Sequence, residues 1–133
     1  MTEDLIGTWS SDYGYHSSMQ DEELVFHPDG AGSVAYARPS SSDCVLFRWS
    51  PSGPDSVLLT PHRWYRDENG EITEQDTPVA AELRYRVEQG IRPLLDHPLP
   101  VLVVIEHRGF LVADSYARIT RPTVPSSANT PNR

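Results

Sequence analysis

The chain has 133 residues, of which 38% are hydrophobic, and a formal net charge of -8 at pH 7. This length leaves room for one domain with a single core, and the acidic charge argues against a nucleic-acid partner, whose phosphates would be repelled. Among its residues there is one cysteine, Cys44, which excludes an internal disulfide and fits a reducing compartment. With no membrane-length apolar run and an acidic opening, we expect a cytoplasmic protein without membrane contact.

Turn-forming sequences recur at short intervals, such as Pro28-Asp29-Gly30 and Asp67-Glu68-Asn69-Gly70, and separate runs rich in β-branched and aromatic residues. They predict eight strands, at residues 6–12, 22–27, 33–37, 44–49, 56–66, 80–88, 100–107 and 110–119. Because the last of an even number of antiparallel strands can pair with the first, the fold class predicted for residues 1–121 is all-β, a single up-and-down eight-stranded barrel. Residues 122–133 are polar and proline-rich, which predicts a flexible tail.

The clearest strand is residues 81–88, where Ala, Leu, Tyr and Val alternate with charged residues. One of its faces is predicted to be buried and the other to be exposed to solvent. The long connection that follows, residues 89–99, contains two prolines and four apolar residues. It forms either a helical turn across one mouth of the barrel or a segment packed on the outside.

Three short motifs lie where successive strands are predicted: Gly7-Thr8-Trp9, the apolar run from Leu24 to the Asp29-Gly30 turn, and Phe47-Arg48-Trp49. Together they resemble the small bacterial lipocalin-like proteins of the calycin group, over residues 5–65 by motif and over the rest by strand count. The resemblance implies that Trp9 plugs one end of the barrel and that an arginine of the last strand, Arg118 or Arg121, lies over its ring.

The chain departs from related families in ways that limit what the resemblance implies. It lacks the later motifs of secreted lipocalins, and residues 13–21 are too few for the helix pair of fatty-acid-binding proteins. His107-Arg108-Gly109 is also a weak match to the proximal-histidine loop of heme-binding barrels. Neither fatty-acid nor heme binding is therefore transferred.

The strand faces with more apolar members supply the residues expected to point inward: Leu24, Phe26, Val34, Tyr36, Val45, Phe47, Trp49, Leu83, Tyr85 and Val87. Aromatic walls with polar tips suit a hydrophobic or aromatic guest. We therefore predict a ligand-binding set of Phe26, Tyr36, Phe47, Trp49, His62, Trp64, Tyr85 and Tyr116. Side chains that fill the barrel completely are the alternative.

Candidates for catalysis are few. Alternation along residues 57–66 places Leu58, Thr60, His62 and Trp64 on one face. His62 then lies either inside a cavity beside an indole or at the strand end in water. Asp114 and Tyr116 share a face with Phe110 and Val112, either the inner one, where a desolvated carboxylic acid can act as a general acid or base, or the outer one. The catalytic candidates are thus Asp114, Tyr116 and His62.

We predict neither a metal site nor a cofactor, because the histidines lack ligand spacing and no phosphate or dinucleotide loop occurs. Three functions remain open. They are binding of a small hydrophobic ligand in the barrel, cofactorless catalysis of a cyclisation or isomerisation in the same cavity, and protein binding through the acidic exterior. The sequence does not decide between binder and enzyme, and it does not indicate an oligomeric state.

Overall fold

The computed structural model describes residues 2–13, 21–107, 110–111 and 113–119. A short 3-10 turn, Thr2–Leu5, precedes a sheet of nine antiparallel strands. The strands are β1 Gly7–Ser10, β2 Asp21–Phe26, β3 Ala31–Ala37, β4 Ser41–Gly53, β5 Ser56–Glu68, β6 Glu71–Gln75, β7 Ala81–Gly90, β8 Leu99–His107 and β9 Ser115–Arg118. The predicted tail, residues 122–133, lies outside the described residues.

Eight of these strands close into a barrel, which confirms the predicted fold class. Neighbours along the chain pair with each other from β1 to β5 and from β7 to β9, β5 pairs with β7, and β9 pairs with β1. Trp9 opposite Arg118 is part of the ladder that joins the first strand to the last. Closure removes the free sheet edges that an open sheet would expose.

The ninth strand, β6, was not predicted, although its turn signal is present in the sequence. Asn69 and Gly70 have φ values of 54° and 90°, as a two-residue hairpin turn requires, and Glu68 pairs with Glu71 across it. Every β6 side chain except Gln75 is exposed, so the strand lacks the apolar alternation by which strands are recognised. The Asn-Gly turn is the one feature of the sequence that indicates this hairpin.

The β4–β5–β6 part of the sheet extends past the rest of the barrel. β7 pairs with β5 only along residues 56–59, whereas β4 accompanies β5 to Glu68 and β6 covers residues 64–68. The barrel therefore has two different ends. One, here called the closed end, carries the 3-10 turn; the other, the open end, carries the β3–β4 and β5–β6 connections, where Asn69 N–H donates to the Ser40 carbonyl at 3.2 Å.

The long connection after β7 packs on the outside of the barrel, the second of the two predicted arrangements. Leu95 packs against a cluster of Leu99, Val101 and Ala117. Val101 is paired with Ala117 across β8 and β9, on the opposite face from the core residues Leu102 and Tyr116. Arg92 fixes the connection further, since its side chain is buried and its Nη1 donates to the Tyr13 carbonyl at 2.8 Å.

The strand predicted to be clearest has the expected pattern, because Ala81, Leu83 and Tyr85 are buried and the charged residues between them are exposed. All ten residues expected to point inward belong to the core cluster or pack against it. No helix within the described ranges is long and apolar enough to cross a membrane.

Candidate functional site at the open end of the barrel

Trp9 forms the floor of the closed end. It has no exposed surface, its indole N–H donates to the Leu5 carbonyl at 2.8 Å, and Arg118 Cζ lies 4.7 Å from its ring centroid. Arg118 also donates to the Asp4 carbonyl at 2.6 Å, which ties the last strand to the 3-10 turn. This is the contact that the resemblance implied for Arg118; Arg121, the other residue considered, lies outside the described residues.

Aromatic rings fill the interior above this floor. Phe26 stands edge-on to Phe47 and to Trp49, with ring centroids 5.8 and 5.5 Å apart. Gly32 lies opposite Phe47, and a Cβ there would overlap the Phe47 ring, so the glycine creates the space that the ring occupies. Phe26, Phe47 and Trp49, three residues of the predicted ligand-binding set, thus pack against one another in this part of the barrel.

A pocket of about 400 Å³ lies at the open end, within the range of about 300–1,000 Å³ of small-molecule sites. We call it the mouth pocket. Its walls come from the end of β3, the start of β4, the outer half of β5 and three connections, those between β3 and β4, β6 and β7, and β8 and β9. The lining residues are Tyr36, Arg38, Asp43, Val45, Trp64, Arg66, Pro78 and Phe110. Two residues of the predicted ligand-binding set, Tyr36 and Trp64, are among them.

Asp43 organises the polar side of the mouth pocket. Its side chain is 4% exposed, and its two carboxylate oxygens accept hydrogen bonds from Arg66 Nε at 3.1 Å and Arg66 Nη2 at 3.3 Å. The indole N–H of Trp64 donates to the same carboxylate at 3.2 Å. Arg66 Cζ lies 5.3 Å from the Trp64 ring centroid, so one carboxylate positions both the guanidinium and the indole.

A second buried carboxylate, Glu22, lies behind Tyr36. Glu22 is 5% exposed, is the cross-strand partner of Tyr36, and accepts a hydrogen bond from Ala113 N–H at 2.7 Å. Burial raises the pKa of Tyr116 far above its usual value, and the charge of Glu22 raises it further. Burial also raises the pKa of Tyr36, to which the charges of Glu22 and Asp43 add, while Arg38 lowers it. Two phenols and a carboxylate therefore form a buried polar cluster next to the mouth pocket.

Glu22 was absent from the predicted site, although a signal for it exists. It lies two residues before Leu24 and four before Phe26, so its side chain belongs to the same face of β2 as these two residues, which were expected to point inward. The prediction took only the apolar members of this face. The backbone N–H of Ala113, 91 residues away in sequence, offsets part of the desolvation of Glu22, and that contact is not visible in the sequence.

His62 lies outside the barrel, and its predicted common face with Trp64 is wrong. A bulge in β5 makes the register change between Leu46, opposite Arg63, and Phe47, opposite Pro61. Val57, Leu59 and Pro61 are buried before the bulge and Trp64 lines the pocket after it, whereas Leu58, Thr60 and His62 are exposed. Pro61 is the sequence signal, since proline within a strand marks an edge or a bulge.

Asp114 and Tyr116 do not share a face. The predicted strand at 110–119 is regular only from Ser115 to Arg118, so alternation does not extend back to Asp114. Asp114 is exposed, whereas Tyr116 has no exposed surface and belongs to the core. Val112, the remaining member of the predicted face, lies outside the described residues.

Tyr85, also in the predicted ligand-binding set, is 3% exposed in the core.

Over the described ranges, no three histidine, cysteine or acidic side chains are grouped so as to hold a metal ion. Comparisons of the chain with protein-family models, with curated proteins and with solved structures find no match. The barrel itself agrees with a lipocalin-like fold. The functional argument therefore depends on the geometry of the site.

Proposed function

We propose that this protein is lipocalin-like and that it binds a small hydrophobic or aromatic molecule in the mouth pocket. The observation that carries the proposal is the pocket of about 400 Å³ at the open end, walled by Tyr36, Trp64 and Phe110. Rings of this kind give a guest a large contact area at little cost in side-chain entropy. A few polar atoms beside them fix its orientation.

The difference between the two ends of the barrel supports the proposal. At the closed end, Trp9, Phe26 and Phe47 are each at most 1% exposed and pack against other core residues. At the open end, Trp64 and Phe110 remain half-buried. Trp49, near the closed end, is also half-buried, but its N–H is bonded to the His27 and Ala31 carbonyls. The two half-buried rings of the open end instead line the mouth pocket, where a ligand would cover them.

Asp43 adds a second line of support, since it holds the pocket walls in place before any guest arrives. Its bonds to Arg66 and Trp64 connect β4 to β5 at the pocket rim. A preformed pocket reduces the ordering cost of binding. The proposed ligand site therefore consists of Tyr36 and Trp64 from the predicted set, joined by Phe110 and Val45.

The test is a titration with the neutral fluorescent probe N-phenyl-1-naphthylamine, with native mass spectrometry of the same sample to detect a co-purified guest. We expect saturable fluorescence enhancement with one site per chain. Trp64→Ala should weaken probe affinity at least about tenfold, equivalent to ~1.4 kcal/mol.

The matched control is Trp49→Ala, which removes the same side chain near the β2–β3 turn, where Trp49 N–H donates to the His27 carbonyl at 3.0 Å. Its folded molecules should bind the probe with unchanged affinity. No saturable response in the wild-type protein, or equal losses in the two variants, would contradict the proposal. A filled barrel that binds a protein through its acidic exterior would then be the better explanation.

A further inference from the structure

We propose that the mouth pocket selects hydrophobic amines, molecules with an apolar or aromatic body and a protonated amino group, over carboxylates with the same body. The inference rests on the proposed function and adds a ligand class to it. What carries it is the arrangement of charge around the pocket: the two carboxylates are buried and the two guanidinium groups are partly exposed.

The depth of each charge determines how strongly a ligand experiences it. The side chains of Asp43 and Glu22 are 4% and 5% exposed, while those of Arg66 and Arg38 are 35% and 42% exposed. Charges exposed to water are screened, and charges in the low-dielectric interior are not. A charged ligand group deep in the pocket therefore interacts electrostatically more strongly with the carboxylates than with the arginines.

The arginines are poor partners for an incoming carboxylate. Arg66 makes two hydrogen bonds to Asp43, at 3.1 and 3.3 Å, and Arg38 Nη1 lies 3.8 Å from the same carboxylate. A ligand carboxylate would compete with Asp43 for both cations and would bring a third negative charge beside it and Glu22. An ammonium group would share the Asp43 carboxylate with these arginines, but it would add a positive charge close to two buried carboxylates instead of a third negative one.

Tyr36 connects the pocket to the buried acid. It lines the mouth pocket, and it is paired with Glu22 on one neighbouring strand and with Asp43 on the other. Its hydroxyl oxygen is buried without a hydrogen-bond partner among the described residues. Burial contributes most to the raised pKa of this phenol, and the charges of Glu22 and Asp43 raise it further while Arg38 lowers it. The contribution of the two carboxylates has the sign that favours a cation at this position.

The aromatic walls are compatible with the same ligand. A cation within about 6 Å of a ring centroid is attracted to its face, and the pocket presents Tyr36, Trp64 and Phe110. Trp64 already accepts a cation in this way, since Arg66 Cζ lies 5.3 Å from its centroid. Hydrophobic amines thus find apolar contact and charge stabilisation in one pocket.

The experiment is isothermal titration calorimetry at pH 7 with three probes that share a ring system: 2-(1-naphthyl)ethylamine, 2-(1-naphthyl)ethanol and 1-naphthylacetate. We expect the amine to bind at least about tenfold more tightly than the acetate, with the neutral alcohol between them. Glu22→Gln, which keeps an oxygen acceptor for Ala113 N–H, should reduce the ratio of amine to acetate affinity at least threefold and leave the alcohol unchanged.

Glu23→Gln is the matched control, because it removes the same formal charge from the next residue of β2, where the side chain belongs to the opposite face. It should leave the ratio of amine to acetate affinity near its wild-type value. Circular dichroism is used to check that both variants fold. Acetate affinity equal to or above that of the amine would overturn the inference and leave the proposed function standing. An unchanged ratio in folded Glu22→Gln would overturn the role of Glu22. No binding of any of the three probes would overturn the proposed function and the inference with it.

Discussion

Replacement of Trp9 by alanine should destabilise the barrel severely without touching the mouth pocket. Trp9 has no exposed surface, and deletion of a buried aromatic side chain costs about 3–5 kcal/mol. Two contacts place this site toward the upper end of that range: the Leu5 carbonyl loses its donor at 2.8 Å, and Arg118 loses the ring beneath its guanidinium. Small domains have a free energy of unfolding of only about 5–15 kcal/mol, so the variant should be barely folded.

The assay is urea unfolding followed by far-UV circular dichroism, with the free energy of unfolding extrapolated to water. Trp9→Phe provides a folded comparison, since phenylalanine keeps most of the buried area and loses the N–H that Leu5 accepts. It should cost about 1–2 kcal/mol, in line with a lost buried hydrogen bond and modest repacking. A loss below about 1 kcal/mol in Trp9→Ala would refute the assignment of Trp9 as the floor of the barrel.

Three further predictions concern the open end and the outer face. Asp43→Asn removes the charge that holds Arg66, so the affinity for N-phenyl-1-naphthylamine should fall in a fluorescence titration, and an unchanged affinity would mean that Asp43 does not shape the pocket. In an ultraviolet titration of the folded protein, Tyr36 and Tyr116 should stay protonated at pH 11, because burial and Glu22 raise the pKa of both phenols. Since the unfolded chain releases these protons from about pH 10, stability should fall as the pH rises above that value; native ionisation of all tyrosines near pH 10 would argue against the buried cluster. Burial also raises the pKa of the Cys44 thiol, so Ellman's reagent should react more slowly at pH 8 with folded than with urea-unfolded protein, and equal rates would show that the thiol is not shielded.

Most of the barrel was predictable from sequence because alternation within strands and turn-forming residues between them are local features of the chain. Strand β7 alternates without interruption, and its buried residues Ala81, Leu83 and Tyr85 are those expected from the pattern. The β2–β3 and β5–β6 turns carry Gly30, Asn69 and Gly70 at positive φ, the conformation that these residue types adopt most readily. The floor was predictable for a different reason, since the Gly7-Thr8-Trp9 motif implied an arginine over the indole, and Arg118 lies there.

The site was less predictable because it depends on irregular backbone and on contacts between distant segments. The bulge near Pro61 changes which side chains of β5 face inward, so alternation extended through it assigns His62 to the wrong face. The predicted common face of Asp114 and Tyr116 is wrong for a similar reason, because β9 begins only at Ser115. Glu22 is held inside by the N–H of Ala113, a long-range partner that no local pattern reveals.

Indole N–H signals in a proton–nitrogen correlation spectrum test ligand binding at the mouth pocket most directly. The chain has three tryptophans, and they occupy different places: Trp9 the floor, Trp49 the β2–β3 turn and Trp64 the pocket wall. Addition of 2-(1-naphthyl)ethanol should shift the Trp64 signal saturably and leave the Trp9 signal in place. Shifts of the Trp9 signal alone, or no shift of any indole signal at saturating probe, would contradict binding in the mouth pocket.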